Sequence, residues 1–339
     1  MKTIPSAGRR LMFPAAKQVV LESFPLTDPA PGEVVVETIS SLLSTGTETI
    51  CYNRKFDPGT HWDNWVKYPF YPGYATVGTV LAAGEGVTSL KAGDRVAHRA
   101  GHRSHAVIKA EECYRVPAGV NAGDAVWFPL AKIAGHGVRA AGITLGDAVV
   151  VIGAGPIGQM TLRWALACGA GQVIVLDLAE ARLKMAAAAG ALPVTASADQ
   201  ADNAIQALLG GARPRIVIDT TGNAAVLRTA FGLVADRGTV VLLGDTGSPG
   251  SQTLTGDVIT RGLRLVGAHD MHNTPEWNNP VSAAHFFTFV KGGRFSLAGL
   301  NTHHFKPEAC TEAYTLATED RLRTMGILFD WTQSASAHA

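Results

Sequence analysis

The chain has 339 residues, 47% of them hydrophobic, and a net charge of +1 from 29 Lys and Arg against 28 Asp and Glu. That length allows two domains of ordinary size and a large core. The even charge balance, with no block of like charges, excludes the footprint of a nucleic-acid or anionic-membrane binder and favours a small-molecule partner.

The start, "MKTIPSAGRRLMFPAAKQVVLE", lacks the continuous apolar stretch of a signal peptide, and no uncharged apolar run approaches the roughly 20 residues of a membrane span. A soluble, cytoplasmic protein is expected. Cys51, Cys113, Cys168 and Cys310 are far apart and form no C-x-x-C pair, which argues against a disulfide framework and a zinc knuckle. Up to about residue 121 the chain carries short β-like runs broken by Gly, Pro and Asp, such as "EVVVETIS", "ATVGTVLAAG", "DRVAHRA" and "SHAVIKA", and predicts a compact all-β unit. From 122 to 296 helical stretches alternate with wholly apolar strands, "AVVVIGAG", "QVIVLDL", "RIVIDTTG", "GTVVLLGD" and "LRLVGAHD", the pattern of a doubly wound parallel α/β sheet. In "GPIGQMTLRWALACGA", Ile157, Met160, Trp164 and Cys168 share one helical face for that sheet, and a second helix, "EARLKMAAAAGA", closes at Gly190. The pieces "LNTHHF", "EACTEAYTLATED" and "GILFDW" in 297–339 are too short for a domain and are expected to complete the N-terminal unit. The tail "TQSASAHA" is expected to fray.

Gly153, Gly155 and Gly158 form G-x-G-x-x-G between the apolar run Val149 to Ile152 and a helix, and "QVIVLD" follows, ending in Asp177. Strand, elbow, helix, strand and acid together predict a dinucleotide site, with the helix N-terminus on the pyrophosphate and the carboxylate on the ribose hydroxyls. The carboxylate repels a 2′-phosphate, so NAD is favoured over NADP. Expected contacts are Gly153, Gly155, Pro156, Ile157 and Gly158 at the elbow, Asp177 and Leu178 after the second strand, and Thr221 and Gly244 after later strands. Arg182 is close in sequence and counted with them, although its place on the next helix predicts a solvent-facing side chain.

The segment from "FPLAKIAGHG" through "LDLAEARLKMAAAAGA", with "VIDTTGN", "LVADRGTVVLLGDTG" and "NTHHFKPEACTEAYTLATED", resembles the medium-chain dehydrogenase/reductase family of zinc alcohol and sorbitol dehydrogenases and quinone reductases. The resemblance implies a GroES-like catalytic domain (1–121, completed by 297–339) around a Rossmann domain (122–296), with the active site between them. It also implies homodimers, which family members form through the edge represented here by "LRLVGAHD". Where zinc-dependent members carry Cys, Gly-His-Glu and a Glu before Pro-Leu, this chain has Ser44 or Thr45, Gly73-Tyr74-Ala75 and Phe128, and the four-cysteine structural lobe is missing. "STGTE" and "PGY" are similar to bacteriochlorophyllide hydroxyethyl dehydrogenases and related zinc-free members. No zinc is therefore expected. His98, His102 and His105 could form a metal site on a helix, but Gly101, Arg99 and Arg103 are interleaved and favour a polar loop near the cleft.

Without a metal, something else must stabilise the alkoxide character of the substrate. Tyr74 is a hydrogen-bond donor at the position of the missing histidine, Ser44 and Thr47 lie on the loop of the missing cysteine, and Lys132 near Phe128 is a base or donor. Glu48 is a supporting partner, and His136 has a cofactor-side or structural part. Trp62 and Trp65, with His269 and His272 after the last Rossmann strand, are candidates for the substrate pocket. The reading is a zinc-independent, NAD-dependent dehydrogenase for a secondary alcohol on a cyclic substrate such as a sugar, a cyclitol or a ring-borne hydroxyethyl group. An NADPH-dependent quinone or enoyl reductase, and an inactive nucleotide-binding protein, are the alternatives.

Overall fold

The computed structural model describes residues 4–332; the rest of the polar tail lies outside them. The apolar runs form a six-stranded parallel sheet in the order Leu192–Thr195, Gln172–Asp177, Ala148–Ile152, Ile216–Asp219, Thr239–Leu242 and Arg264–Gly267. Strand order reverses beside Ala148–Ile152, and at such a reversal the carboxyl ends of the strands open a crevice for a nucleotide. Val149, Val150 and Val151 are fully buried because helices cover both faces, which explains why these strands read as unbroken apolar runs.

A seven-stranded sheet runs Asn301–Phe305, Gly326–Asp330, Glu33–Leu43, Thr76–Ala83, Arg95–His98 and Tyr114–Arg115, with His105–Lys109 also paired to Glu33–Leu43. Gly326–Asp330 lies antiparallel to Glu33–Leu43, so the last strand pieces return to the N-terminal part of the chain. One apolar cluster joins the two sheets: Leu42, Ala75 and Ala97 of the second pack in the same group as Val149 and Val151 of the first, with Trp127 and Phe128 between them. The cleft therefore rests on a continuous floor.

Three expectations are corrected. The N-terminal part is not all-β, because Thr45–Asn53 and His61–Trp65 are helical; Thr60 caps the second by accepting from the Asp63 N–H. Cys168 does not extend the buried face of its helix, which ends at Ala167 and leaves Cys168 exposed, while Met160 and Trp164 are buried. Arg182 does not face solvent: its guanidinium donates to the carbonyls of Arg321 and Thr324 and ties the parallel sheet's helix to the chain end. Backbone carbonyls near a helix terminus are good acceptors for an arginine, and an amphipathicity count cannot see them.

Gly153 has φ +95°, open to glycine and costly for other residues, and a Cβ on Gly158 would lie 1.9 Å from the Gly153 carbonyl oxygen. Backbone cannot yield as a flexible side chain does. Gly158→Ala is expected to cost about 1–3 kcal/mol in a urea unfolding series and to weaken dinucleotide binding at least tenfold by fluorescence titration.

Candidate active site

The site grows from a buried carboxylate. Glu48, 1% exposed on the helix Thr45–Asn53, accepts from the Ser44 N–H at 2.8 Å, from His102 Nε2 at 3.0 Å and from the Tyr314 hydroxyl. The Trp331 indole donates to Ser41 Oγ at 2.9 Å, and that hydroxyl lies 2.7 Å from His102 Nδ1. The Glu48 carboxylate can only accept, so His102 Nε2 carries a proton toward it. An anion this buried needs several such donors, so the network fixes the loop and helix that carry Ser44 and Thr47.

Ser44 stands at the helix N-cap but makes no side-chain cap. Its hydroxyl is instead 2.6 Å from Tyr74 Oη, with Thr47 Oγ1 at 3.5 Å. Gly73, φ +94°, permits this approach, since a Cβ there would come within 2.9 Å of His102. Burial is the main influence on the half-buried Tyr74 phenol and pushes it up to about 12, against the hydrogen bonds from Ser44 and Thr47 and the charge of Arg99. At neutral pH it is a protonated donor. The Arg99 guanidinium lies 5.2 Å from the centre of its ring.

Lys132 is 2% exposed, not the solvated charge its place near a helix start suggests. Its ammonium donates to the Asp270 carbonyl at 2.7 Å and to Asp270 Oδ1 at 3.0 Å. Burial lowers its proton affinity and Asp270 raises it. Asp270 also takes a forked pair of bonds from Arg99, 2.6 and 3.0 Å. Arg99 follows a strand of the seven-stranded sheet and Asp270 one of the parallel sheet, so this contact crosses the cleft. Neither residue stood out in the sequence, because a charge pair 171 positions apart has no local signature.

The elbow Gly155 caps the helix Pro156–Ala167, and a Cβ there would meet only Arg182 Nη1, at 3.6 Å, which leaves the open approach a pyrophosphate needs. Asp177 Oδ2 accepts from the Ala154 N–H at 2.7 Å and Oδ1 from the Ala179 N–H at 2.8 Å, with lone pairs to spare for ribose hydroxyls. Leu178 is 65% exposed beside it. Thr221 donates to Asp219, and Gly244 packs against the backbone of Thr220 to Gly222, at the carboxyl ends of the next two strands.

Trp62 and Trp65 stay in contact, ring centres 5.8 Å apart, but differ in burial: Trp62 is 4% exposed in the core with Leu11 and Phe13, whereas Trp65 is 52% exposed and packs edge-on against Phe70. His272 lines an open cavity of about 260 Å³ with His136, Arg139 and Trp277. The three N-terminal histidines do not converge: His98 is buried at the end of one strand and His105 starts another, while the loop between those strands carries Arg99 to Asp270 and His102 to Glu48. Among the described residues, one group has converging metal-type donors, His61, Asp245 and His269, within 4.8 Å of one another. His61 Nε2 lies 2.8 Å from Asp245 Oδ2, and the Met271 N–H donates to His269 Nδ1, which puts the His269 proton on Nε2 toward Asp245. His61 and Asp245 form a hydrogen bond across the cleft, and His269 Nε2 stands 3.7 Å from the same carboxylate oxygen on the parallel-sheet side.

Residues 30–171 match the family model described as "Alcohol dehydrogenase GroES-like domain", and residues 156–284 the one described as "Zinc-binding dehydrogenase". Sorbitol dehydrogenase from Ovis aries is 28% identical over 329 residues, covering 87% of this chain and 88% of its own. Solved structures with the same fold include the E. coli alcohol dehydrogenase rspB in complex with NADH, at TM-score 0.81 and 22% identity, covering 96% of this chain and 100% of that one. A zinc-binding dehydrogenase from Sinorhizobium meliloti bound to NADP has TM-score 0.79 at 18% identity, covering 96% and 100%. Fold, elbow and cleft thus define an oxidoreductase of the alcohol and polyol dehydrogenase kind. The chain belongs to the medium-chain dehydrogenase/reductase superfamily.

Zinc, implied by the second model's description, is a poor fit for the side chains at the family's ligand positions. Ser44 and Tyr74 are neutral hydroxyls bonded to each other, and Phe128 is fully buried against Tyr114 and Phe287, whereas zinc takes about three ligands from thiolate, imidazole and carboxylate.

Burial holds two histidines beside the site neutral, His98 pushed down to about 3 and His136 to about 4. Their folded values lie below the ordinary 6.5, so their share of stability is complete above about pH 6.5 and is lost as pH falls toward 4. Each is expected to cost on the order of 1.4 kcal/mol per pH unit across that window. Urea midpoints from pH 8 to 4.5 check this, and His98→Leu should flatten the slope.

Proposed function

We propose that this protein is a zinc-independent, NAD-dependent dehydrogenase that oxidises a secondary alcohol on a cyclic substrate such as a sugar, a cyclitol or a ring-borne hydroxyethyl group. The observation that carries the reading is the 2.6 Å hydroxyl pair of Ser44 and Tyr74, braced by Glu48, where metal-dependent relatives hold their ion. NAD, when bound at the elbow, supplies the hydride acceptor. The alcohol carbon gives its hydride to NAD and the alcohol oxygen gives its proton through the hydroxyls of Tyr74, Ser44 and Thr47 to solvent, while the Tyr74 hydroxyl holds that oxygen and Lys132 acts as a fixed charge through Asp270 rather than as a free base. Trp65 offers a face for a ring, and His269 with His272 shapes the rim.

NAD is favoured over NADP because Asp177 would meet a 2′-phosphate, and Arg182, the nearby cation, is anchored by its Nη2 to two carbonyls with Nη1 beside the Gly155 elbow. Residues 1–121 with 297–339 form the catalytic lobe and 122–296 the cofactor lobe. The strand Arg264–Gly267, at the edge of the parallel sheet, is the surface for a homodimer, with Leu265 38% exposed. Among the described residues no helix is long and apolar enough to cross a membrane, consistent with a cytoplasmic enzyme.

Initial rates on chelator-treated protein test the proposal, with alcohols, sugars and cyclitols plus NAD or NADP, and with ketones and enones plus each reduced cofactor. The expected result is NADH formation from a secondary alcohol that survives chelation. Tyr74→Phe should lower kcat about 100-fold with NAD affinity unchanged. Activity that vanishes on chelation and returns with zinc would overturn the proposal, as would NADPH-only reduction of enones.

A further inference from the structure

The chemistry assigned to Tyr74 lacks one component. A phenol among hydroxyls and apolar walls can donate a hydrogen bond, but a metal also supplies positive charge where the substrate oxygen becomes anionic. Positive charge is present nearby. Arg99 and Lys132 share a single carboxylate, Asp270, and leave a net charge of one positive unit. The three are well ordered by chemistry: Asp270 holds Arg99 with a forked pair of bonds and Lys132 with both its side chain and its carbonyl, and Asn279 Oδ1 takes a further Arg99 proton at 3.3 Å. The guanidinium lies 5.2 Å from the centre of the Tyr74 ring.

We infer that the Arg99–Asp270–Lys132 ion cluster takes over the electrostatic task of a metal at Tyr74, with Arg99 and Asp270 as positioning residues that act through the phenol. The inference rests on the reading of Tyr74 as the group that binds the substrate oxygen. A cation over the face of a phenol ring favours charge withdrawal along its O–H, and the low dielectric of a half-buried cleft magnifies the effect. Asp270 opposes it and sets its size. Because Arg99 follows a strand of one sheet and Asp270 a strand of the other, the cluster ties the two sides of the cleft together beside Tyr74.

Other titratable groups face the cluster. Tyr114 and the neutral His136 lie near it, as do His269, whose Nε2 is 3.7 Å from Asp245, and His272. Ser44 and Thr47 complete the surroundings of Tyr74 and carry no charge.

The test is the pH profile of kcat for alcohol oxidation in Arg99→Gln, Arg99→Lys and Asp270→Asn, with His269→Gln as a control for its own titration. Removing the cation should lower kcat about 100-fold and move the apparent pKa of the profile up by about one unit. Removing the carboxylate should move it down by a similar amount, and Arg99→Lys should keep the original position even where kcat falls. Opposite shifts are beyond a merely structural role. If both charge-changing variants lose activity with an unmoved profile, while thermal melts show them folded, the inference is wrong. A Tyr74→Phe protein with undiminished turnover would instead remove the reading beneath it.

Discussion

Glu48 is the constraint on which the candidate site depends. Its carboxylate is almost wholly out of water with no arginine or lysine among its hydrogen-bond partners, and its charge is met by an amide N–H, an imidazole and a phenol. Each donor belongs to a different part of the chain: Ser44 on the loop, His102 beyond the strand Arg95–His98, and Tyr314 on the helix Cys310–Glu319 near the chain end. Satisfying one anion therefore pins three segments, and Ser44 is left with its hydroxyl free for Tyr74. Loss of any one donor leaves a buried charge short of a partner, which is among the costlier defects in a protein interior.

The parallel sheet was legible in the sequence because its signals are local. Continuous apolar strands, a glycine elbow and an acid at the end of the next strand are read within thirty residues, and the structure pairs those strands in parallel, whereas their order in the sheet comes from the fold alone. The helices Thr45–Asn53 and His61–Trp65 were not. Both are short and embedded among strand-like runs; the first has a local tie, Glu48 reaching back four residues to the Ser44 N–H, but the bonds that bury that carboxylate, from His102 and Tyr314, are tertiary.

The same division applies to the site. Ser44, Thr47 and Tyr74 could be nominated by their places in the family pattern, and they do converge. Lys132 was nominated for its position, but its partner was invisible until the fold placed Asp270 beside it. The histidine spacing at 98, 102 and 105 suggested proximity that strand geometry denies, whereas His61, Asp245 and His269 meet across 208 residues of sequence with no motif at all. Trp62 and Trp65 are neighbours on one helix, their rings 5.8 Å apart, and only packing decides that the first is buried and the second exposed.

The central claim is that a substrate oxygen is received by Tyr74 and not by a metal. A crystal structure of the protein with NAD and a fluorinated, poorly oxidisable secondary alcohol tests it most directly. The account predicts the alcohol oxygen within hydrogen-bond distance of Tyr74 Oη, about 2.6–3.2 Å, with Arg99 still paired to Asp270. An alcohol oxygen bound to a metal ion, or seated against His61, Asp245 and His269 away from Tyr74, would contradict it.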